Sequence, residues 1–501
     1  VILNNQEQQI GKSLSEILQI RKGKVRKIRE LGFEPYAYSF PKSHSNKAIL
    51  DNFAELEETT VVKIAGRIMA IRKMGRASFC HIQDDDTRLQ IYFQEDKIGK
   101  KNYDLFRLLD IGDIIGVVGK VFKTRTGEIT IYAEQLQLLT KNVRPIPVVK
   151  EKDGNIFDAF TDKEQRYRQR YLDLIVNPEV KQTFKMRSYI IQWTRDFLND
   201  HGYLEVETPS LQPIYGGASA RPFKTHYNAL NRDVYLRIAD ELYLKRLIIG
   251  GFEKVYEIAK NFRNEGIDKT HNPEFTALEF YQTYVDYRFQ MDFVEELFRY
   301  IAKKIGRTVY EYGDYTIDIE KPFQRREMFD LLKEYVGVDV SALSQKQLEE
   351  LCVEKDLEVN PKLGIGKMIE ILFDNFVENK LVQPTFVTDY PKAISPFAKS
   401  KQGGDPEIVE RFELYIAGQE FVNAFSELND PFDQRERLEN QNQLRNLGDE
   451  EAQAMDEEFV VAMEYGMPPT GGVGIGIDRM VMFFTNQSSI RDVILFPQLR
   501  T

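Results

Sequence analysis

The stretch NFRNEGIDKTHNPEFTALEFY, residues 261–281, decides how this chain is read. It reads as strand, polar turn, strand. Side chains alternate faces along a strand. Phe275, Ala277, Glu279 and Tyr281 therefore share one face, while Thr276, Leu278 and Phe280 share the other, which has the character of core. Asn261, Arg263 and Glu265 likewise fall together in the preceding strand. Antiparallel pairing would bring Arg263 and Glu279 to one surface. A structural Arg–Glu pair with solvated turn residues explains this as well as a ligand site does. The turn GIDKTHN is long for a hairpin and polar, the kind of loop that often carries function.

A second stretch, QEFVNAFSELNDP (419–431), repeats the pattern. Alternation puts Phe421, Asn423, Phe425 and Glu427 on one face and Val422, Ala424, Ser426 and Leu428 on the other, so a carboxylate again sits beside aromatics. Just upstream, RFELYIAGQE (411–420) sets Glu413 and Glu420 on either side of a turn at Gly418. Two such carboxylates can simply be hydrated. They can also hold a hard cation such as Mg²⁺, which completes its shell with phosphate oxygens.

The third element is GGVGIGIDRMVMFF (471–484). A dinucleotide fingerprint needs a βαβ unit and a later acidic partner, and too little chain follows for either. Gly471, Gly472, Gly474 and Gly476 instead suggest close backbone approach to a ligand or another strand. Asp478 is placed at a helix start. Arg479 projects from that first turn, where a fixed cation suits a phosphate or an adenine face.

Outward from these elements, residues 180–201 show helical spacing at Ile190, Ile191, Thr194, Phe197 and Leu198, with Gly202 as the stop. YLEVETPSL is expected as a strand ended by Pro209. Residues 58–140 hold successive strand patterns: TVVKIAGRIMAIRK, RASFCHIQD, TRLQIYFQ, DIIGVVGKVFK and GEITIYAEQLQLL, with a helical NYDLFRLLD after the third. That order is the order of an OB-fold barrel. A generic small β-barrel is the competing reading.

The expected organisation is a helical basic arm over 1–55, an OB-fold domain over 56–145, a linker over 146–180 and a large domain over 181–501, with a helical insertion at about 325–380. In the arm, six of the ten residues RKGKVRKIRE (21–30) are Lys or Arg, either a solvated face or an arm along phosphates. Pro145, Pro147 and Gly154 mark the linker.

Bulk composition limits the function classes. A chain of 501 residues with 42% apolar content is a multidomain globular protein, and its net charge of −10 argues against wholesale electrostatic binding of nucleic acid. Cys80 and Cys352 lie far apart and the five histidines lack ligand spacing, which speaks against structural zinc. No apolar run is long enough to span a membrane and no signal-peptide pattern is visible, so the expected compartment is the cytoplasm.

HGYLEVETPSL, EKVYEIAKNFRNEGIDKTHNPEFTALEFY and GGVGIGIDRMVMFF resemble motifs one, two and three of the class II aminoacyl-tRNA synthetases. GGASARPF (216–223), IADELYLKR (238–246), QEFVNAFSELNDP and SSIRDVILFP resemble the lysine-specific branch. The resemblance implies an α+β chain: an N-terminal OB-fold β-barrel plus a class II catalytic domain, an antiparallel sheet flanked by helices. It also implies a homodimer, the partners L-lysine, ATP and tRNA(Lys), and the ligation of lysine to tRNA through lysyl-adenylate.

Site roles follow from the same resemblance. Glu427 and Tyr281 would hold the lysine ε-ammonium, with Glu279 close by. Glu241 and the backbone around Gly216 would hold the α-amino end. Asn423 and Arg263 would meet the carboxylate, and Phe425 would lie along the aliphatic stem. A ligand ammonium would answer the opening oddity, since a buried carboxylate is costly without an opposite charge. Phe275 and Arg479 would sandwich adenine. Glu265, His271 and Asn272 would lie in the ATP region, where a lone loop histidine is otherwise ordinary polar surface. Arg263, Glu265, His271 and Arg479 are the catalytic candidates, Glu420 also serves the ATP site, and Glu413 and Glu420 are the Mg²⁺ ligands. On the barrel, Phe79, Gln90 and Glu128 match anticodon-reading positions, and Arg67 adds a phosphate or base contact.

Three rivals compete. An aspartyl- or asparaginyl-type enzyme would hold its substrate carboxylate with cations, whereas Glu241, Glu279 and Glu427 are acids. A lysylating paralogue acting on protein would lack the barrel. A catalytically silent RNA-binding relative would have lost one of Arg263, Glu413, Glu420 or Arg479.

Overall fold

The structure is a computed structural model and describes residues 13–57, 60–147, 150–152, 155–157, 160–360, 364–446 and 452–500. The start of the expected arm, Gly154 of the expected linker and residues 361–363 of the expected insertion lie outside the described residues. The chain divides after Gln182 into two compact units.

In the first unit, strands β1 (Val61–Met74), β2 (Ala77–Asp84), β3 (Thr87–Gln94), β4 (Ile114–Lys123) and β5 (Ile129–Thr140) close into a barrel in the order β1-β2-β3-β5-β4. Alternation builds it: Leu89, Ile91 and Phe93 are buried while Gln90 and Tyr92 face out. Helix α2 (Lys100–Leu108) lies between β3 and β4 and buries Tyr103, Leu105 and Phe106 in the barrel core.

Helix α1 (Leu14–Glu30) begins at a Ser13–Glu16 capping box. It does not read as a wholly free basic arm. Ile28 joins the barrel core, Arg21 donates to Asn142, and Lys24 pairs with Asp110 at 2.5 Å. Lys22, Arg26, Lys27 and Arg29 remain exposed.

In the second unit, strands β6 (Leu204–Glu205), β7 (Lys254–Phe262), β8 (Glu274–Thr283), β9 (Gln324–Glu327), β10 (Thr385–Pro391), β11 (Ile408–Ile416), β12 (Gln419–Ser426) and β13 (Thr470–Gly476) form one sheet. Its order is β9-β10-β11-β12-β13-β8-β7-β6. The six central strands run antiparallel, and each edge strand pairs parallel with its neighbour. The expected YLEVETPSL strand contributes only two residues to this sheet, β6, which pair with Val255 and Tyr256, while its last residue, Leu211, pairs with Leu236 in a separate small sheet.

One face of this sheet is packed. Helices α3 (Pro178–Asp200), α5 (Tyr287–Ile305) and α9 (Ile477–Thr485) contribute to a core that includes Phe197, Phe298, Phe483 and the inward residues Leu278, Phe280, Val473 and Ile475. The expected insertion begins within the sheet, since Arg325–Glu327 belong to β9. Its helices α6 (Met328–Val336), α7 (Gln345–Glu354) and α8 (Gly364–Phe376) form the crossover from β9 to its parallel neighbour β10. They share a satellite core with Val387, Tyr390 and Val409 of the sheet. Among the described residues no helix is long and apolar enough to cross a membrane.

Candidate active site and nucleic-acid interface

The open face of the sheet holds a cavity of about 410 Å³. Its floor is β13, the central strand. Val473 and Ile475 turn into the core, so Gly472, Gly474 and Gly476 face the cavity without side chains. Gly472 lies between Tyr281 of β8 and Phe425 of β12, and Gly474 between Glu279 and Asn423. The walls therefore carry the two faces that alternation picked out.

Glu427 follows the end of β12 and is 1% exposed. Its Oε1 is buried without a hydrogen-bond partner among the described residues. Beside it, Glu241 opens helix α4 (Glu241–Ile249) and is also buried. Tyr281 donates its hydroxyl to Glu279 Oε2 at 3.0 Å. Burial pushes Glu427 up to about 8, Lys245 pulling it back and Glu241 adding to the rise. Burial also raises Glu279, reinforced by the charges of Asp240 and Glu241.

The structure departs from the expected site at three places. Gly216 does not line the cavity: its neighbour Gly217 does, at φ +87°, with its N–H donating to Gln453 Oε1 at 3.1 Å. Gly216 packs toward Leu242. Phe421, expected beside Asn423, also turns into the core, against Phe298 and Phe483. The reason is a register shift between Leu414 and Tyr415, which leaves Phe421 as an extra residue and pairs Glu420 with Tyr415. The same shift brings Glu420 to the face of Asn423. Finally, β7 ends at Phe262, so Arg263 and Glu265 sit in the loop rather than on a strand.

At the other end of the cavity, Arg263 lies over the Phe275 ring, 5.0 Å to its centroid, with Nε buried and unpartnered among the described residues. Arg479, at the start of α9, donates to the Glu420 carbonyl and approaches Glu420 Oε2 at 3.3 Å. Helix α9 is tied to β8 by its neighbour Asp478, which accepts from Thr276 N at 2.7 Å and pairs with Arg187 at 2.5 Å. Glu265 lines the cavity. His271 does too, but it is exposed and its Nδ1 meets Asp268 Oδ2 at 2.9 Å. Asn272 uses its amide on the backbone: Nδ2 donates to Glu274 O at 2.5 Å, and Oδ1 accepts from Gln498 N at 3.3 Å.

Glu413 and Glu420 flank a tight turn whose central residues, Ala417 and Gly418, have φ of +52° and +70°. Glu413 is buried and held by Arg411 at 2.5 Å and by the hydroxyls of Tyr390 and Tyr415 at 2.9 and 2.6 Å. No group of three or more acidic, His or Cys side chains among the described residues forms a complete metal cage. The charge distribution nonetheless fits a hard divalent cation. Burial, with the like charges of Glu370, Glu378 and Glu413, lifts Asp374 to about 7. Burial, with the charges of Glu420 and Glu413, lifts Glu378 to about 7. Negative charge is in excess there, and two carboxylates plus phosphate oxygens are an ordinary Mg²⁺ donor set.

Sequence reasoning missed two cations. Lys245, one turn after Glu241, is fully buried between Glu241 and Glu427. Arg411, two residues before Glu413 on β11, donates from Nε to Asn423 Oδ1 at 3.1 Å and from Nη1 to Ile394 O and Ser395 Oγ at 3.0 and 2.9 Å. Both lay at the i+4 or i−2 spacing of an acid already singled out.

On the barrel, the outward positions of β2, β3 and β5 meet. Gln90 Nε2 donates to Glu128 Oε2 at 2.6 Å, Thr130 Oγ1 donates to Gln90 Oε1 at 2.8 Å, and His81 Nε2 lies 2.9 Å from Glu128 Oε1. Phe79 sits 4.8 Å from Tyr92, which stacks on Tyr132 at 5.5 Å. Phe79, Gln90 and Glu128 are thus gathered on one aromatic and polar face. Arg67 is not in that contact set: it lies opposite Gln83, and its Nη1 donates to Gly112 O at 2.8 Å. His81, Tyr92 and Tyr132 were missed, although each sits two residues along a strand from a residue on this face.

Comparison with known proteins agrees with this geometry. Residues 162–500 match the family described as tRNA synthetases class II (D, K and N), and residues 62–139 match the OB-fold nucleic acid binding domain. A lysine–tRNA ligase of Pelotomaculum thermopropionicum is 53% identical over 491 residues, covering 97% of this chain and 95% of the relative. Those of Carboxydothermus hydrogenoformans and Bacillus subtilis are 52% identical over 489 residues and 49% identical over 504, covering 97% and 99% of this chain and 98% and 99% of the relatives. An acid-lined cavity on an antiparallel sheet, an OB barrel and near full-length similarity converge: the chain belongs to the lysine–tRNA ligase family of the class II tRNA synthetases.

Proposed function

We propose that this chain activates L-lysine with ATP and transfers the lysyl group to the 3′ end of tRNA(Lys). The observation that carries the reading is Glu427 Oε1, a carboxylate oxygen buried in the cavity without a hydrogen-bond partner among the described residues. A ligand ammonium would supply the charge that such an oxygen lacks.

Glu427 and Tyr281 take the ε-ammonium and Glu279 stands beside them. Glu241 and the backbone at Gly217 take the α-amine, and Phe425 lies along the stem. Arg411 occupies the Asn423 oxygen and so leaves the Asn423 N–H groups for the substrate carboxylate. That carboxylate attacks the α-phosphorus of ATP, an O–P bond forms, and the bond to the β-phosphate breaks to release pyrophosphate. Arg263 holds carboxylate and α-phosphate together where negative charge builds. Phe275 and Arg479 hold the adenine, and Glu265, His271 and Asn272 border the nucleotide. Glu413 and Glu420 would hold Mg²⁺, which supplies charge neutralisation to the phosphates. No side chain serves as a nucleophile.

Phe79, Gln90 and Glu128 read the anticodon on the barrel face, with Arg67 at its margin. The working form is a homodimer in the cytoplasm, with motif one at the interface. An acidic substrate fits less well, because Lys245 is already engaged by Glu241 and Glu427. The test is ATP–pyrophosphate exchange with each amino acid in turn, followed by charging of tRNA. Exchange with lysine alone supports the reading, and exchange with aspartate or asparagine overturns it.

A further inference from the structure

Lys245 is a buried titratable group that the steps above leave without a role. Its side chain is 0% exposed. It follows Glu241 by one turn of α4, so the two share a helix face. Its ammonium is ion-paired with Glu241 Oε1 and Glu427 Oε2. Phe397 and Phe425 lie over it, their ring centroids 4.7 and 5.3 Å from Nζ. Packing on two sides and charge on two others fix its place by the fold.

A cation there uses one oxygen of each acid and leaves the other for a ligand. Glu427 Oε1 has no hydrogen-bond partner among the described residues. Glu241 Oε2 lies at the cavity wall, 3.6 Å from where a Cβ on Gly217 would stand. Without Lys245, two buried carboxylates would face each other, and repulsion would drive one to take a proton and both to separate.

We infer that Lys245 is a positioning residue for substrate selection: it clamps Glu241 and Glu427 at a fixed span, so that the pair accepts a diamino acid with lysine's separation of amines and disfavours a shorter one. The inference rests on the lysine reading of the cavity. It deepens that reading by naming what sets the distance between the two amine subsites.

The test compares wild type with Lys245→Met, close in length and uncharged, in pyrophosphate exchange with lysine and ornithine between pH 6.5 and 9. The preference for lysine over ornithine in kcat/KM is expected to fall about tenfold or more. The midpoint of lysine KM against pH is expected to rise by about one unit, with the KM for ATP within roughly twofold of wild type. A packing role alone would lower thermal stability and rate while moving neither the preference nor the midpoint, and that result overturns the inference. If Lys245→Met does not accumulate as folded protein, Lys245→Arg, which keeps the charge but changes the length and shape of the bridge, takes its place: a lowered preference for lysine over ornithine supports the clamp, and an unchanged preference overturns it. Wild type that fails to exchange with lysine overturns the lysine reading itself, which distinguishes the two failures.

Discussion

Gly472 lies directly behind Glu427: a Cβ built on Gly472 would come within 1.9 Å of Glu427 Oε1 and 2.5 Å of the Tyr281 ring. The absence of a side chain at this one position makes room for the acid. Gly472→Ala is expected to displace Glu427 and to raise the KM for lysine about a hundredfold, while the KM for ATP stays within roughly threefold. Pyrophosphate exchange with each substrate varied separately checks this, and equal losses for both substrates would point to a general collapse instead.

Glu427→Ala should fold, because Lys245 keeps Glu241 as its partner. Lysine activation is expected to lose ~3–5 kcal/mol, the scale of a broken buried charge pair. A kcat/KM for lysine within roughly threefold of wild type would remove Glu427 as the ammonium partner.

Arg411→Lys keeps the charge but not the fork that joins Asn423, Ser395 and Glu413. The expected result is a near-normal melting temperature with kcat/KM for lysine lowered about tenfold or more, since Asn423 loses its orientation. Restored activity in Arg411→Lys at saturating lysine would place the effect in ground-state binding.

Phe79→Ala separates the two modules. Losing one stacking surface is expected to cost ~1–3 kcal/mol in tRNA charging, while exchange without tRNA is unaffected. Parallel loss in both assays contradicts the division of labour between barrel and sheet.

The pH behaviour follows from Glu427, faced by Lys245, Glu241 and Tyr281. Its carboxyl is raised to about 8 in the fold, against about 4.3 in an unfolded chain. The native state therefore holds a proton that the unfolded state has lost. This group's contribution to stability is largest below pH 4 and declines as pH rises toward 8. A lysine ammonium favours the ionised form, so binding releases a proton between about pH 5 and 8, and affinity strengthens with pH up to about 8. Calorimetry in buffers of different ionisation enthalpy measures the release. Zero release across this range would show that Glu427 is already ionised in the empty cavity.

Much of this was legible in the sequence where one rule sufficed. Period-two alternation placed the barrel strands and the cavity face of β8, and glycine at every other residue of β13 marked a floor without side chains. Alternation failed at Phe421 because a bulge changes the phase of a strand, and nothing in a single sequence marks where a partner strand will slip. YLEVETPSL has strand propensity along its length, yet only Leu204 and Glu205 join the main sheet, as an edge, while Leu211 pairs with Leu236 in a separate small sheet. Lys245 and Arg411 escaped notice because a cation beside an acid on a helix or strand reads as a surface pair. Their burial is a tertiary fact.

The bulge at Phe421 has a bearing on how this site tolerates change in length. Strand β12 keeps two phases, one on each side of the extra residue, and Glu420 and the residues Asn423, Phe425 and Glu427 belong to different phases. Removing Phe421 would leave all four on the same face in a plain alternating strand and take from the core one aromatic ring. Inserting a residue between Phe421 and Asn423 would also make the interval even, but it would leave an additional side chain on the cavity face between Glu420 and Asn423. The two ends of the cavity are thus kept in register by a counting step, and errors of one residue there have unequal consequences depending on their sign.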